Sequence, residues 1–99
     1  MDQKIECHTP NPDRQGTTRI AKWKYDLLHS AILAALDGSG DDGLTLAELK
    51  DAVRDRIDPD DRNRLGSLGW HLTTVKLNME VSGEIGRVKN SAPQRVVLG

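Results

Sequence analysis

Polar and basic side chains in the C-terminal half of the chain could together contact a polyanion. Five of them fall at helical spacing within residues 68–82, and three basic residues follow within residues 85–98. The set comprises His71, Thr73, Thr74, Lys76, Asn78, Arg87, Lys89 and Arg95. Lysine and arginine neutralise phosphates, while histidine, threonine and asparagine can hydrogen-bond to base edges or phosphate oxygens. The sequence therefore predicts that these residues form a binding surface for double-stranded DNA.

The distribution of charge favours the same interpretation. The 99 residues carry a net charge of only −1. However, residues 37–61 hold nine acidic and three basic side chains, whereas residues 62–99 hold six basic and two acidic ones, a net charge of +4. We therefore expect a polyanion to meet the C-terminal part of the chain.

A second group of residues follows the spacing of an EF-hand calcium loop over residues 37–48. Oxygen-bearing side chains and one glycine occupy its ligand positions, which are Asp37, Ser39, Asp41, Gly43, Thr45 and Glu48. Calcium prefers hard oxygen ligands of this kind. The sixth position is Asp42, although the sharp turn of the loop needs glycine there. A calcium site is therefore a remote alternative to a capped turn between two helices.

The sequence has no residue pattern typical of an enzyme. The glycines of residues 38–43 match the letters of a dinucleotide-binding fingerprint, but a helix precedes them and two aspartates among them would repel a pyrophosphate. Cys7 and His8 could supply half of a zinc site, yet the other two histidines have no partners at ligand spacing. We therefore expect neither catalytic activity nor a bound cofactor or metal.

Two predicted helices precede the candidate DNA-binding residues. Apolar residues at helical spacing predict the first helix over residues 19–37, and Gly38 ends it. The second helix runs from Thr45 to about Ile57. A capping box between Thr45 and Glu48 would satisfy free backbone N–H groups at its start.

The third predicted helix, residues 68–82, carries most of the candidate residues. Before it, Asp58 caps a short turn over residues 59–65. The helix has apolar stripes on nearly opposite sides, so one stripe can face the core while the other meets a partner. The second stripe comprises Trp70, Leu77 and Val81. It predicts a homodimer or another protein partner as the alternative to DNA.

The remaining elements complete a predicted fold. β-Branched and basic residues over residues 85–98 predict a hairpin around a four-residue turn, and Leu44–Leu46 could add a third strand. Three helices followed by a two-stranded wing make a winged helix-turn-helix arrangement. We therefore predict an α+β fold, with an irregular N-terminal arm over residues 1–18 and a single winged-helix domain over residues 19–99.

Length and composition set the remaining limits. A chain of 99 residues is expected to form one domain. With two Trp, one Tyr and no Phe, its core must be aliphatic, and its single cysteine rules out an internal disulfide. No apolar stretch approaches the roughly 18–20 residues that a membrane span needs, and the first residues do not resemble a signal peptide. We expect a cytoplasmic protein without a membrane partner.

Several stretches of the chain resemble a small family of uncharacterised bacterial proteins, a domain of unknown function. They are Ile5–Pro12 with Gly16, Trp23–Asp26, Thr73–Glu80, Gly83–Ile85, Arg87–Val88 and Pro93–Arg95. The resemblance covers nearly the whole chain and implies a winged-helix-like fold but no established activity. Residues 79–88 also resemble the end of the recognition helix of winged-helix regulators, which usually have an aliphatic core residue at the position of Lys76.

The residues and the resemblance together predict a small DNA-binding protein of the winged-helix type, such as a transcriptional regulator. A protein-interaction module that does not bind nucleic acid is the alternative.

Overall fold

In the part of the chain that the structure describes, four helices and three further strands follow a β-hairpin. The structure, a computed structural model, describes residues 3–8, 18–89 and 93–99. Its strands and helices are β1 (Lys4–Cys7), β2 (Thr18–Ala21), α1 (Lys22–Asp37), β3 (Leu44–Thr45), α2 (Leu46–Arg56), α3 (Pro59–Leu65), α4 (Leu68–Ser82), β4 (Ile85–Arg87) and β5 (Arg95–Leu98). A 3-10 turn, Gly40–Asp42, lies between α1 and β3. The fold is therefore α+β.

The predicted winged helix-turn-helix, with three helices and a two-stranded wing, is wrong. Residues 59–65, predicted as a short turn, form the helix α3, because Asp58 accepts a hydrogen bond from the backbone of Asp60 and Pro59 starts the first turn. The hairpin of β4 and β5 is part of a three-stranded sheet in the order β3-β5-β4. A second sheet pairs β1 with β2. The described residues thus form four helices and two sheets.

The N-terminal hairpin replaces part of the region predicted to be irregular. Ile5 pairs with Ile20 in the antiparallel register of β1 and β2, so the first helix begins at Lys22 and not at residue 19. Cys7 and Ile20 are buried against the core. The predicted irregular residues 9–17 and the turn residues 90–92 lie outside the described part of the chain.

The caps predicted from the sequence are confirmed. Thr45 Oγ1 accepts from the backbone N–H of Glu48 at 3.2 Å, and Glu48 Oε1 accepts from the backbone N–H of Thr45 at 2.9 Å. Ser67 caps α4 by accepting from the third residue of that helix. Gly83 ends α4 in the left-handed region, at a φ of 83°. Both helices therefore start where the sequence predicts, to within one residue.

The core is aliphatic and surrounds α1, which packs against α2, α4 and β5. Its most deeply buried large side chains are Leu28, Ile32, Leu36, Leu49, Val53, Leu65, Leu72, Val75, Met79, Ile85 and Val96. None of the helices in the described ranges is long and apolar enough to cross a membrane.

Gly43 allows β3 to approach β5 closely. Its φ is 68°, and a Cβ atom at this position would lie 2.2 Å from the carbonyl oxygen of Val96. Such a contact is far shorter than van der Waals distance, so only glycine fits. The third strand of the sheet depends on this residue.

Candidate functional site

The two strand arginines of the predicted DNA-binding set lie on opposite faces of the three-stranded sheet. Arg87 pairs directly with Val96, so both side chains share the face that packs on the core. Arg95 is the neighbour of Val96 along β5 and therefore projects from the other face. There its guanidinium lies 3.4 Å from the Glu48 carboxylate and donates to the carbonyl of Gly43. The two arginines therefore do not lie on one surface, although the prediction placed both of them in a single DNA-binding surface.

Glu80 holds two of the predicted DNA-binding cations within the fold. Its side chain is 6% exposed, and its carboxylate accepts from Arg87 Nε at 2.6 Å and from Arg87 Nη2 at 3.3 Å. Lys76 Nζ lies 3.5 Å from the same carboxylate, and Lys76 is buried. The hydrogen bond to Glu80 raises the pKa of Arg87 because it favours the charged guanidinium. Glu80 is not among the residues predicted from the sequence, although its spacing of four from Lys76 was the available signal.

Asn78 joins three elements of the fold. Its Nδ2 donates to Tyr25 Oη on α1 at 2.9 Å, and its Oδ1 accepts from the backbone N–H of His8 at 3.0 Å. Tyr25 in turn stacks on His29, whose Nε2 lies 3.1 Å from both carboxylate oxygens of Glu84. Burial raises the pKa of Tyr25, which therefore stays protonated. A contact of Asn78 with a base would require breaking these hydrogen bonds.

Two further members of the predicted set bond to their own helix. His71 Nδ1 lies 2.6 Å from the carbonyl oxygen of Ser67, the N-cap of α4, and Thr74 Oγ1 donates to the carbonyl of Trp70 at 2.8 Å. Of the set, only the side chains of Thr73 and Lys89 make no hydrogen bond or ion pair within residues 3–8, 18–89 and 93–99. The predicted DNA-binding side chains are therefore mostly used within the fold.

The outward side of α4 is apolar. Trp70 is 50% exposed and Val81 is 49% exposed, while Leu77 is half-buried between them. With Thr74 they follow steps of four, three and four residues, the spacing of a seam between two packed helices. We call these residues, Trp70, Thr74, Leu77 and Val81, the outer α4 face. It contains the apolar stripe predicted from the sequence.

A second apolar surface, which was not predicted from the sequence, runs along α1. It is an open groove of about 680 Å³. We call it the α1 groove; it is lined by Trp23, Asp26, Leu27, Ser30, Ala31, Ala34 and Arg56. The wide apolar pattern of α1 was the available signal, since so wide a stripe is typical of a helix packed by several neighbours.

Glu48, the last residue of the predicted calcium loop, contacts other groups of the protein. The carboxylate of Glu48 faces the backbone of Thr45 and the guanidinium of Arg95. Hydrogen bonds from Thr45 lower the pKa of Glu48, since they favour its charged form. Across the described ranges, no group of three or more His, Cys, Asp or Glu side chains could hold a metal ion.

Cys7 is a free thiol at the end of β1, where it is buried. Burial raises the pKa of this thiol because the thiolate loses its hydration. A thiol with a raised pKa is a weak nucleophile at neutral pH. The structure therefore offers no activated cysteine at this position.

A family model described as Family of unknown function (DUF6958) matches residues 4–96. Comparison with curated proteins and with solved structures gives no match.

Proposed function

Since the chain belongs to this family of unknown function, we propose its role from its own geometry: it is a protein-interaction module that associates through the outer α4 face. One observation carries this proposal. Trp70 and Val81 are half exposed on the same side of α4, whereas six of the eight side chains predicted to bind DNA make contacts within the fold. Half-exposed tryptophan is typical of residues that dominate binding energy at interfaces.

A second copy of the chain is the partner that this face fits best. The steps of four, three and four residues are the same in both directions along the helix. An antiparallel pair therefore sets Trp70 against Val81 of the partner subunit, and Thr74 against Leu77 of the partner subunit. The large ring thus meets a small side chain, and the face itself carries no charge that would repel its copy. Such an interface closes on itself as a two-fold dimer.

The expected affinity is modest. One helix pair buries less than the roughly 1,200–2,000 Å² of a stable protein–protein interface, so we expect dissociation constants in the micromolar range. A weak dimer of this kind would respond to protein concentration and barely respond to salt, because its contacts are apolar.

Sedimentation equilibrium tests this proposal. The native chain should form dimers as its concentration rises, and Trp70→Gln should weaken the dimer at least about tenfold. Leu46→Gln is the matched control, because Leu46 is 45% exposed on α2 and lies outside the outer α4 face. A native chain that stays monomeric at millimolar concentration, or a control that weakens the dimer equally, would overturn the proposal.

DNA binding is the second candidate. The observation that favours it is the exposure of three cations: Lys89 is exposed, and the side chains of Arg87 and Arg95 are 46% and 38% exposed. A phosphate could therefore still reach them beside their carboxylate partners. A gel shift with random double-stranded DNA at low and moderate salt separates the candidates, because DNA binding weakens steeply as salt rises. Absence of any shift at low salt would contradict DNA binding.

A further inference from the structure

The floor of the α1 groove has the geometry of a helix-packing seam. Trp23, Leu27, Ser30 and Ala34 follow each other in steps of four, three and four residues along α1. This stretch rises about 16 Å, or three helical turns. Trp23 forms a wall at one end, whereas the small Ser30 and Ala34 let a neighbouring backbone approach closely at the other. The shape fits a helix that lies along α1.

The charges around the groove favour an acidic occupant. Arg56 donates to the carbonyl of Ala52 at 3.2 Å and has no ion pair with any other residue of the described ranges. Arg64 covers the ring of Trp23, with its guanidinium 4.6 Å from the ring centre, but it already pairs with Asp61 at 3.7 Å. Asp26, the one acid among the lining side chains that the structure describes, is neutralised by Lys22. The guanidinium of Arg56 is therefore the positive charge at the groove that has no acidic partner among the described residues.

We propose that the α1 groove binds an amphipathic α-helix of another protein, whose apolar stripe covers Leu27 and Ala34 and whose carboxylates pair with Arg56. The groove is open along its length, which suits a helix better than an enclosed small molecule. The site lies on α1 and α2 and shares no residue with the outer α4 face. It therefore stands whether or not the chain forms dimers.

A synthetic peptide tests the proposal directly. The probe is a labelled peptide of about three heptads, with Leu at positions a and d and Glu at e and g, since like charges at e and g disfavour pairing with itself. A matched peptide has Lys in place of Glu. Fluorescence anisotropy should show binding of the acidic peptide to the native chain, and binding of the basic peptide about tenfold weaker or more.

Two pairs of variants locate the site. Arg56→Glu should weaken binding of the acidic peptide about tenfold and strengthen binding of the basic one. Arg54→Glu should change neither affinity, because Arg54 lies on the same helix but does not line the groove. Ala34→Gln should fill the groove and weaken both peptides, and Ala47→Gln on the exposed side of α2 is its matched control. Circular dichroism melting verifies that all four variants fold.

The outcomes separate this site from the outer α4 face. Trp70→Gln should weaken dimerisation but leave peptide binding unchanged. The two proposals can therefore fail independently of each other. The proposal is overturned if the acidic peptide does not bind at millimolar concentration, if both peptides bind equally, or if Arg56→Glu and Arg54→Glu have equal effects.

Discussion

Glu80 forms ion pairs with two cations, because its carboxylate neutralises buried Lys76 and also binds Arg87. Glu80→Gln would leave the ammonium of Lys76 without its charged partner in a poorly solvated position. We expect this change to lower the free energy of unfolding by about 3 kcal/mol. Urea denaturation followed by circular dichroism measures it.

The double variant Lys76→Met with Glu80→Leu is the control for that prediction. It removes both charges, so it should recover most of the lost stability. A Glu80→Gln variant as stable as the native chain would contradict the prediction, because it would show that other groups or water solvate the ammonium of Lys76.

A second prediction at the residue scale concerns Cys7. Its thiol is buried and burial raises its pKa, so little thiolate is available at neutral pH. Iodoacetamide should therefore alkylate the native chain much more slowly than the chain unfolded in urea. Mass spectrometry of timed samples gives both rates, and equal rates would contradict the buried position.

The sequence shows the residue types of the predicted DNA-binding set but not the directions in which their side chains project. Whether Arg87 and Arg95 share a face depends on the strand register, and a shift of one residue reverses the face of every side chain. The contacts of Asn78 could not be predicted either, because its partners Tyr25 and His8 are distant in the sequence. Residue types alone could not predict these contacts.

At the scale of elements, the capping box of α2 links helix stability to pH. Thr45→Ala removes the acceptor for the Glu48 N–H and should lower the free energy of unfolding by about 1 kcal/mol.

The pKa of Glu48 is lower in the folded than in the unfolded chain. The stability that the Glu48 carboxylate contributes is therefore present above the unfolded pKa and is lost as pH falls through the folded pKa. Glu48→Gln should therefore reduce the loss of Tm in acid. Melting curves from about pH 7 to about pH 3 test this, and an unchanged pH profile would contradict it.

Local signals explain which elements could be predicted. The caps at Thr45 and Ser67 bond to residues three positions away, so the sequence contains all the information they need. The apolar pattern predicts a helix over residues 19–21, but these residues pair with β1, and this tertiary pairing overrides their local preference. The outer α4 face could be predicted because helical periodicity alone defines it, whereas the α1 groove also depends on the position of Arg56 on α2.

At the scale of the whole molecule, Asn78 connects the N-terminal hairpin, α1 and α4. Asn78→Ala should lower the free energy of unfolding by about 1–3 kcal/mol, because it leaves the Tyr25 hydroxyl and the His8 N–H without this partner. Asn63→Ala, at an exposed position of α3, is the control and should stay within about 0.5 kcal/mol of the native chain. Thermal unfolding of both variants measures the two changes in stability. If Asn78→Ala were as stable as the control, Asn78 would be free for a partner outside the fold.

The strand order β3-β5-β4 has a consequence for synthesis on the ribosome. The central strand, β5, is the last of the three to be made, and it supplies the neighbour of both β3 and β4. The sheet therefore cannot close during translation until residue 98 has left the exit tunnel. Until then Leu44 and Ile85 have no strand to pair with, and the nascent chain exposes two unpaired edges that neighbouring chains or chaperones can contact.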